Sequence, residues 1–246
     1  MKAEIRVGVC GFPEARSKLF QDFQILEVQQ TFYHPPLVLT AERWRAQAPN
    51  DFVFTLKAWQ LITHEASSPT YRRLKMQLLG KEKTQAGSFR WNKLTQKAWQ
   101  QTIQIAQALR ASAVVLQTPR SFEPCTENFS RMRYFLSQID RQALLLVFEP
   151  RGPAWTDEIV LPLIEELGLI HAVDPFLRTP LPQRLNYFRL HGKPAYHYHY
   201  SYSEEDFEFL AEKVAFDKPN WVLFNNSRMA EDARRFLKFL HGKIAA

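Results

Sequence analysis

Residues Leu144–Trp155 read LLLVFEPRGPAW, five apolar residues running without a break into Glu149, Pro150 and Arg151. An unbroken apolar run closed by Pro and Gly fits a strand covered on both faces, as in a parallel sheet. Side chains alternate along a strand, so Glu149 and Arg151 point the same way where the hydrophobic run stops. A barrel strand delivers its chemistry in this manner, at its C-terminal end.

Working outward, similar runs occur at Ile5 to Val9, Ile25 to Val28, Phe52 to Leu56, Ala113 to Leu116, Ile170 to Val173, Leu185 to Leu190 and Trp221 to Phe224, which with Leu144 to Phe148 make eight. Helical spacing fills Val38 to Gln47, Leu94 to Leu109, Asn128 to Ile139, Asp157 to Leu167, Glu204 to Ala215 and Arg228 to Leu240. Leu94, Ala98, Trp99, Ile103, Ala106 and Leu109 form one stripe, and Met229, Ala233, Phe236, Leu237 and Leu240 another. The connections after the first, third and sixth strands read as irregular. Eight strands alternating with helices predict an α/β fold, a (β/α)8 TIM-type barrel forming a single domain over residues 1–246. A doubly wound open sheet is the alternative, but GVCGF after the first strand is the nearest approach to a Gly-rich fingerprint. One long intrusion, at about 58–92, is expected on the mouth side of the barrel.

The composition allows one large core: 46% of the 246 residues are hydrophobic. No stretch approaches a membrane span, and MKAEIRVGVCGF enters a strand pattern at once, so a cytoplasmic protein without membrane contact is expected. Cys10 and Cys125 make neither a disulfide framework nor a CxxC pair. The net charge is +7, and it is localised: between Tyr71 and Lys97 stand Arg72, Arg73, Lys75, Lys81, Lys83, Arg90, Lys93 and Lys97 against Glu82 alone. Tyr71, Phe89 and Trp91 are interleaved with them. Such a segment is either a solvated basic face or a surface for phosphates with stacking platforms.

The predicted strand ends form a set. They carry Cys10 and Gly11; Gln29, Thr31, Phe32 and Tyr33, with Glu27 deeper; Lys57, then Thr63 and His64; Gln117; Glu149 and Arg151; Asp174; Arg189 and His191; and Asn225 and Asn226. Apolar strands that nearly all end in charged or amide groups point to one convergent site. Glu149, His191, Lys57 and Asp174 are the candidate catalytic groups; Arg151, Arg189, Asn225, Asn226, Gln117, Tyr33, His64 and Glu27 are the candidates for substrate binding. Each also has a plainer reading. Glu149 and Arg151 can tie strands together, Lys57 is either a desolvated lysine or the partner of Glu149, and Asp174 in VDP suits an ordinary turn.

At the eighth strand, Ser227 reads as a helix N-cap, which puts Arg228 in the first turn, where a cation opposes the macrodipole. An anionic ligand or a nearby carboxylate would relieve that conflict, so a phosphate, carboxylate or sulfate pocket is expected there. In Tyr196–Tyr202, YHYHYSY, the spacing of His197 and His199 permits a shared metal, yet an aromatic loop closing over the mouth fits better. A site built from Glu149, Asp174, His191 and Glu27 would suit a divalent ion, but Arg151, Arg189 and Lys57 crowd it with positive charge. No metal is therefore expected, and no cofactor is identified.

GVCGF, EVQQTFYHPP, FVFTLKAWQLITH, VVLQTPRSF, VFEPRGPAW, YFRLHG and VLFNNSRMAEDA resemble, in order and over nearly the whole chain, the domain-of-unknown-function 72 (YecE-like) family. The resemblance implies a TIM-type barrel and no established reaction. Its recurring positions map largely onto the strand-end set, from Glu27, Lys57 and His64 to Arg189, His191 and Asn225. Cys10 and Phe12 stand where the family usually has Ser and Trp, and Gln29 and Gln30 where it has Asn and Ser.

Two functions follow. The first is an enzyme acting on a small anionic substrate, phosphorylated or carboxylated, with Arg151, Arg189 and the Asn225 to Arg228 turn holding the anion. In it Glu149 or His191 transfers a proton and Lys57 stabilises negative charge. The second is a nucleic-acid binding or phosphodiester-processing protein gripping the backbone through the 71–97 segment, chiefly Arg72, Arg73, Lys75, Lys81 and Lys83.

Overall fold

The computed structural model describes residues 4–214 and 217–245. Eight parallel strands, β1 (Ile5–Cys10), β2 (Ile25–Val28), β3 (Val53–Lys57), β4 (Ala113–Gln117), β5 (Leu145–Glu149), β6 (Ile170–Val173), β7 (Asn186–Leu190) and β8 (Asn220–Phe224), form a closed barrel in chain order. The helices are α1 (Arg16–Asp22), α2 (Gln30–Tyr33), α3 (Val38–Gln47), α4 (Gln60–Thr63), α5 (Lys81–Gln85), α6 (Lys93–Leu109), α7 (Thr126–Gln138), α8 (Asp157–Leu167), α9 (Glu204–Lys213) and α10 (Met229–Ala245). A 3-10 turn, Pro69–Arg73, lies inside the intrusion. The barrel expected from the sequence is thus the fold, with no Gly-rich nucleotide loop. The expected end of the α9 region, Ala215, lies outside the described residues, as do Met1 to Ala3.

Two expectations are corrected. The first connection is not irregular: RSKLFQD forms α1, a short helix burying Leu19 and Phe20, too brief to show a helical period. In α6, Ile105 is 1% exposed and takes the core position expected for Ile103. Ile103 is half-buried.

Two compact units make up the chain, one of residues 1–27, 47–53 and 170–246, the other of 28–46 and 54–169. In the first, β1 pairs with β2 and β8, and β7 with β6 and β8. Every residue of β7 and β8 is buried, and Phe236 and Ala233 of α10 pack without exposure. Each such large apolar side chain contributes roughly 1.5–3 kcal/mol relative to water. Gly8 is required where β1 meets β2: a Cβ there would stand 1.8 Å from the Ile25 carbonyl oxygen.

In the second unit β4 pairs with β3 and β5. The capping box at Asn92 starts α6, its side chain accepting from the Leu94 and Thr95 amides at 3.0 and 3.2 Å while Asn92 N–H donates to Thr95 Oγ1 at 3.2 Å. Asn92→Ala is expected to lower stability by about 1 kcal/mol in urea denaturation, with the slope of the transition unchanged.

Candidate functional site

The second unit gathers a compact group at its strand ends. The β4·β5 register sets Gln117 opposite Glu149. Lys57, at the end of β3, donates from Nζ to Gln117 Oε1 at 2.6 Å and lies 3.9 Å from the centre of the Phe32 ring. Both contacts suit a charged ammonium. Glu149 and Arg151 form an ion pair at 2.7 Å, with their side chains 7% and 11% exposed. Two residues apart on one strand end, they do meet as their phase predicts, and Arg151 keeps part of its surface open.

His64 completes this group. It is 3% exposed, its Nδ1 lies 2.8 Å from the Thr63 hydroxyl, and its ring packs edge-on to Phe32 at 4.8 Å. Burial, then the Lys57 and Arg151 charges, lower its pKa to about 3, so the imidazole is neutral at physiological pH. Tyr33 adjoins Phe32 at 4.9 Å between ring centres, and the Arg73 guanidinium lies 3.6 Å above the Tyr33 ring. Thr31 anchors this corner by donating from its hydroxyl to the carbonyls of Val28 and Lys57 at 2.8 and 2.7 Å.

The first unit holds different groupings. Glu27 and Arg189, 0% and 1% exposed, are joined by two parallel hydrogen bonds of 3.0 and 2.8 Å, and the Tyr187 hydroxyl donates to the same carboxylate at 2.9 Å. Tyr187, Arg189 and His191 are in phase along NYFRLHG, a signal that could have exposed the role of Tyr187. Asp174 accepts from the backbone N–H groups of Phe176 and His191 at 3.1 and 2.9 Å, and its Oδ2 lies 3.4 Å from His191 Nδ1. Tyr196 and Tyr198 place their ring centres 5.3 and 6.1 Å from that of His191 and remain about two-fifths exposed. His197 and His199 lie 6.4 Å apart between ring centres. Among the described residues, no three His, Cys, Asp or Glu side chains gather as metal ligands do.

The anion pocket expected at the end of β8 needs correction. Asn226 donates from its amide to the Tyr200 carbonyl and to Asp232 Oδ2, both at 2.7 Å, while Ser227 N–H donates to the Tyr198 carbonyl at 2.7 Å. Ser227 is therefore no N-cap. The helix begins one residue later, where Asp232 N–H donates to the Arg228 carbonyl at 3.0 Å. The conflict foreseen for Arg228 is relieved by Glu231, to which it donates at 2.6 to 2.9 Å. Asp232, fully buried, already occupies the turn with a carboxylate and braces the Tyr200–Tyr202 segment through Ser201 and Tyr202. Asn225 holds its strand to β7 through the Leu190 carbonyl at 2.8 Å.

The aromatic residues of the basic segment also differ from expectation. Phe89 is 0% exposed and packs against Phe122 and Phe135; Trp91 meets Phe135 edge-on; Tyr71 donates its hydroxyl to the His64 carbonyl at 2.7 Å. These contacts anchor the intrusion: Phe89 is no open stacking platform, and Tyr71 and Trp91 are half-buried. Arg90 pairs with Glu65 at 2.6 Å. Among the described residues, no helix is long and apolar enough to cross a membrane.

Solved structures share this fold. A DUF72 family protein from Enterococcus faecalis V583 aligns with TM-score 0.73 at 19% identity, covering 97% of this chain and 98% of that one. One from Thermotoga maritima MSB8 aligns with TM-score 0.68 at 21% identity, covering 97% and 99%. A D-psicose 3-epimerase, solved in the presence of D-fructose, aligns with TM-score 0.57 at 12% identity, covering 97% and 98%. No curated protein matches the chain. The profile of the family described as Protein of unknown function DUF72 matches residues 15–245, and the chain belongs to that family.

Proposed function

We propose that the protein is an enzyme acting on a small anionic substrate, phosphorylated or carboxylated, held at the strand ends of the second unit. The surroundings of His64 carry this reading: a buried imidazole held neutral beside Lys57 and Arg151, with Glu149 on Arg151. Cations in a low-dielectric setting act on charge far more strongly than in water. Fixed beforehand, they stabilise negative charge as it develops on a substrate. Arg151 offers its guanidinium fork to the anion, Lys57 is aimed by Gln117, and Glu149 accepts the proton. The likeness to D-psicose 3-epimerase supports a small-molecule substrate by fold analogy alone.

A nucleic-acid surface over 71–97 keeps as its support Arg72, Lys75, Lys81 and Lys83, whose partners among the described residues include no carboxylate. The burial of Phe89 and the packing of Trp91 against Phe135 weaken its stacking element, so the small-molecule reading is preferred.

Methylphosphonate titrated into the protein in a calorimeter is expected to bind in the millimolar range. Arg151→Gln should weaken it at least about tenfold, the value of one charge-assisted bidentate contact. In a turnover screen of phosphorylated and carboxylated metabolites, Glu149→Gln should retain binding and lose conversion. Equal methylphosphonate affinity in parent and Arg151→Gln would reject the reading.

A further inference from the structure

The intrusion is built onto the candidate site and not beside it. Gly87, Ser88 and Phe89 donate their backbone N–H groups to the carbonyls of Leu61, Thr63 and Ile62 at 2.8, 3.3 and 2.9 Å, so this strand of chain lies along α4 up to His64. The approach is close enough that a Cβ at Gly87 would stand 2.3 Å from the His64 carbonyl oxygen. The 3-10 turn is fixed at the same place by Tyr71, whose hydroxyl donates to the His64 carbonyl. Arg73 at the end of that turn then lies over Tyr33, its guanidinium carbon 3.6 Å from the ring centre.

The result is a continuous path of contacts: Arg73 on Tyr33, Tyr33 against Phe32, and Phe32 against both Lys57 and His64. Lys57 is buried at one end of it and Arg73 exposed at the other. Arg73 makes no ion pair among the described residues. A guanidinium stacked on an aromatic ring has its plane fixed and its N–H edge presented outward, with less freedom to lose on binding than a solvated arginine.

We propose that Arg73 is a second anion-binding residue of this site, and that the substrate carries two anionic groups held apart by a neutral spacer, one for Lys57 and Arg151, the other for Arg73. This rests on the reading of the inner site given above. The neighbouring Arg72 on the same turn has no aromatic ring beneath it among the described residues and serves as the charge control.

The test is a molecular ruler. Methylphosphonate and the ethane, butane, hexane and octane bisphosphonates are titrated into the parent protein. Tethered anions gain affinity only when the spacer spans both sites. Affinity is expected to peak at an intermediate or long spacer, at least about tenfold above methylphosphonate. Arg73→Ala should flatten the profile while leaving methylphosphonate affinity unchanged, Tyr33→Leu should lower the peak, and Arg72→Ala should leave it in place. A flat profile in the parent, with methylphosphonate still dependent on Arg151, overturns this inference and leaves the inner site standing. Loss of the peak by Arg72→Ala to the same degree as by Arg73→Ala overturns it too, since a general field would then be acting. Absence of methylphosphonate binding by the parent rejects both readings. Tight binding of a single-stranded oligonucleotide, weakened equally by Arg72→Ala and Arg73→Ala with no spacer dependence, assigns the turn to a phosphate backbone instead.

Discussion

Replacing Arg189 by Met is expected to destabilise the protein by about 3–5 kcal/mol, because the Glu27 carboxylate would be left buried without its cation. Glu27 has no exposed surface, and both its oxygens accept from the guanidinium in the fork geometry that makes such pairs strong. The remaining Tyr187 hydroxyl donates one neutral hydrogen bond, too little to solvate a full charge. Set against a typical total of 5–15 kcal/mol for a folded domain, the loss is large. It would be read as a lower midpoint in urea followed by circular dichroism. The double variant Glu27→Gln with Arg189→Met removes both charges and should recover most of the deficit, since a buried ion pair is often replaceable as a unit although neither half can be lost alone. Arg189→Met at parent stability would refute the structural role of the pair.

The barrel was readable from the sequence because eight apolar runs of strand length alternate with helical periods, and burial on both faces leaves that pattern unbroken. Four of the helices, α1, α2, α4 and α5, escaped because they are short: α2 and α4 have four residues each, less than a full period beyond one turn. The strand ends were legible through alternation, which put Glu149 with Arg151 and Arg189 with His191 in phase. What alternation cannot give is the partner across space. That Glu27 receives Arg189, and that Asn226 turns to Asp232 and the Tyr200 carbonyl, depends on strands and helices distant in sequence. The basic segment misled for a related reason. Composition fixes charge but not direction: Phe89 is buried and Trp91 is half-buried against Phe135, while, among the described residues, Arg73 alone of these cations lies over an aromatic ring, that of Tyr33.

The second large effect is a dependence of stability on acid that His64 imposes. Unfolded, its imidazole has the ordinary pKa of 6.5; folded, burial and then the charges of Lys57 and Arg151 lower it to about 3. The unfolded chain therefore binds a proton between these values that the folded chain refuses. Stability is complete above pH 6.5, falls as the pH drops below it, and stops falling on this account only near pH 3. The difference amounts to about 3 kcal/mol by about pH 4. His64→Gln, which keeps a hydrogen-bonding side chain for Thr63 and cannot titrate, should lack this slope, although its stability at neutral pH falls somewhat through imperfect packing. The ionised carboxylates lose stability in acid in both proteins, so the gap between the two pH curves isolates the imidazole. Parallel curves would show that His64 protonates as readily folded as unfolded and would remove its neutral imidazole from the proposed site. A curve that diverges in acid has a further consequence for catalysis. A pH–rate limb near neutrality could not then come from His64.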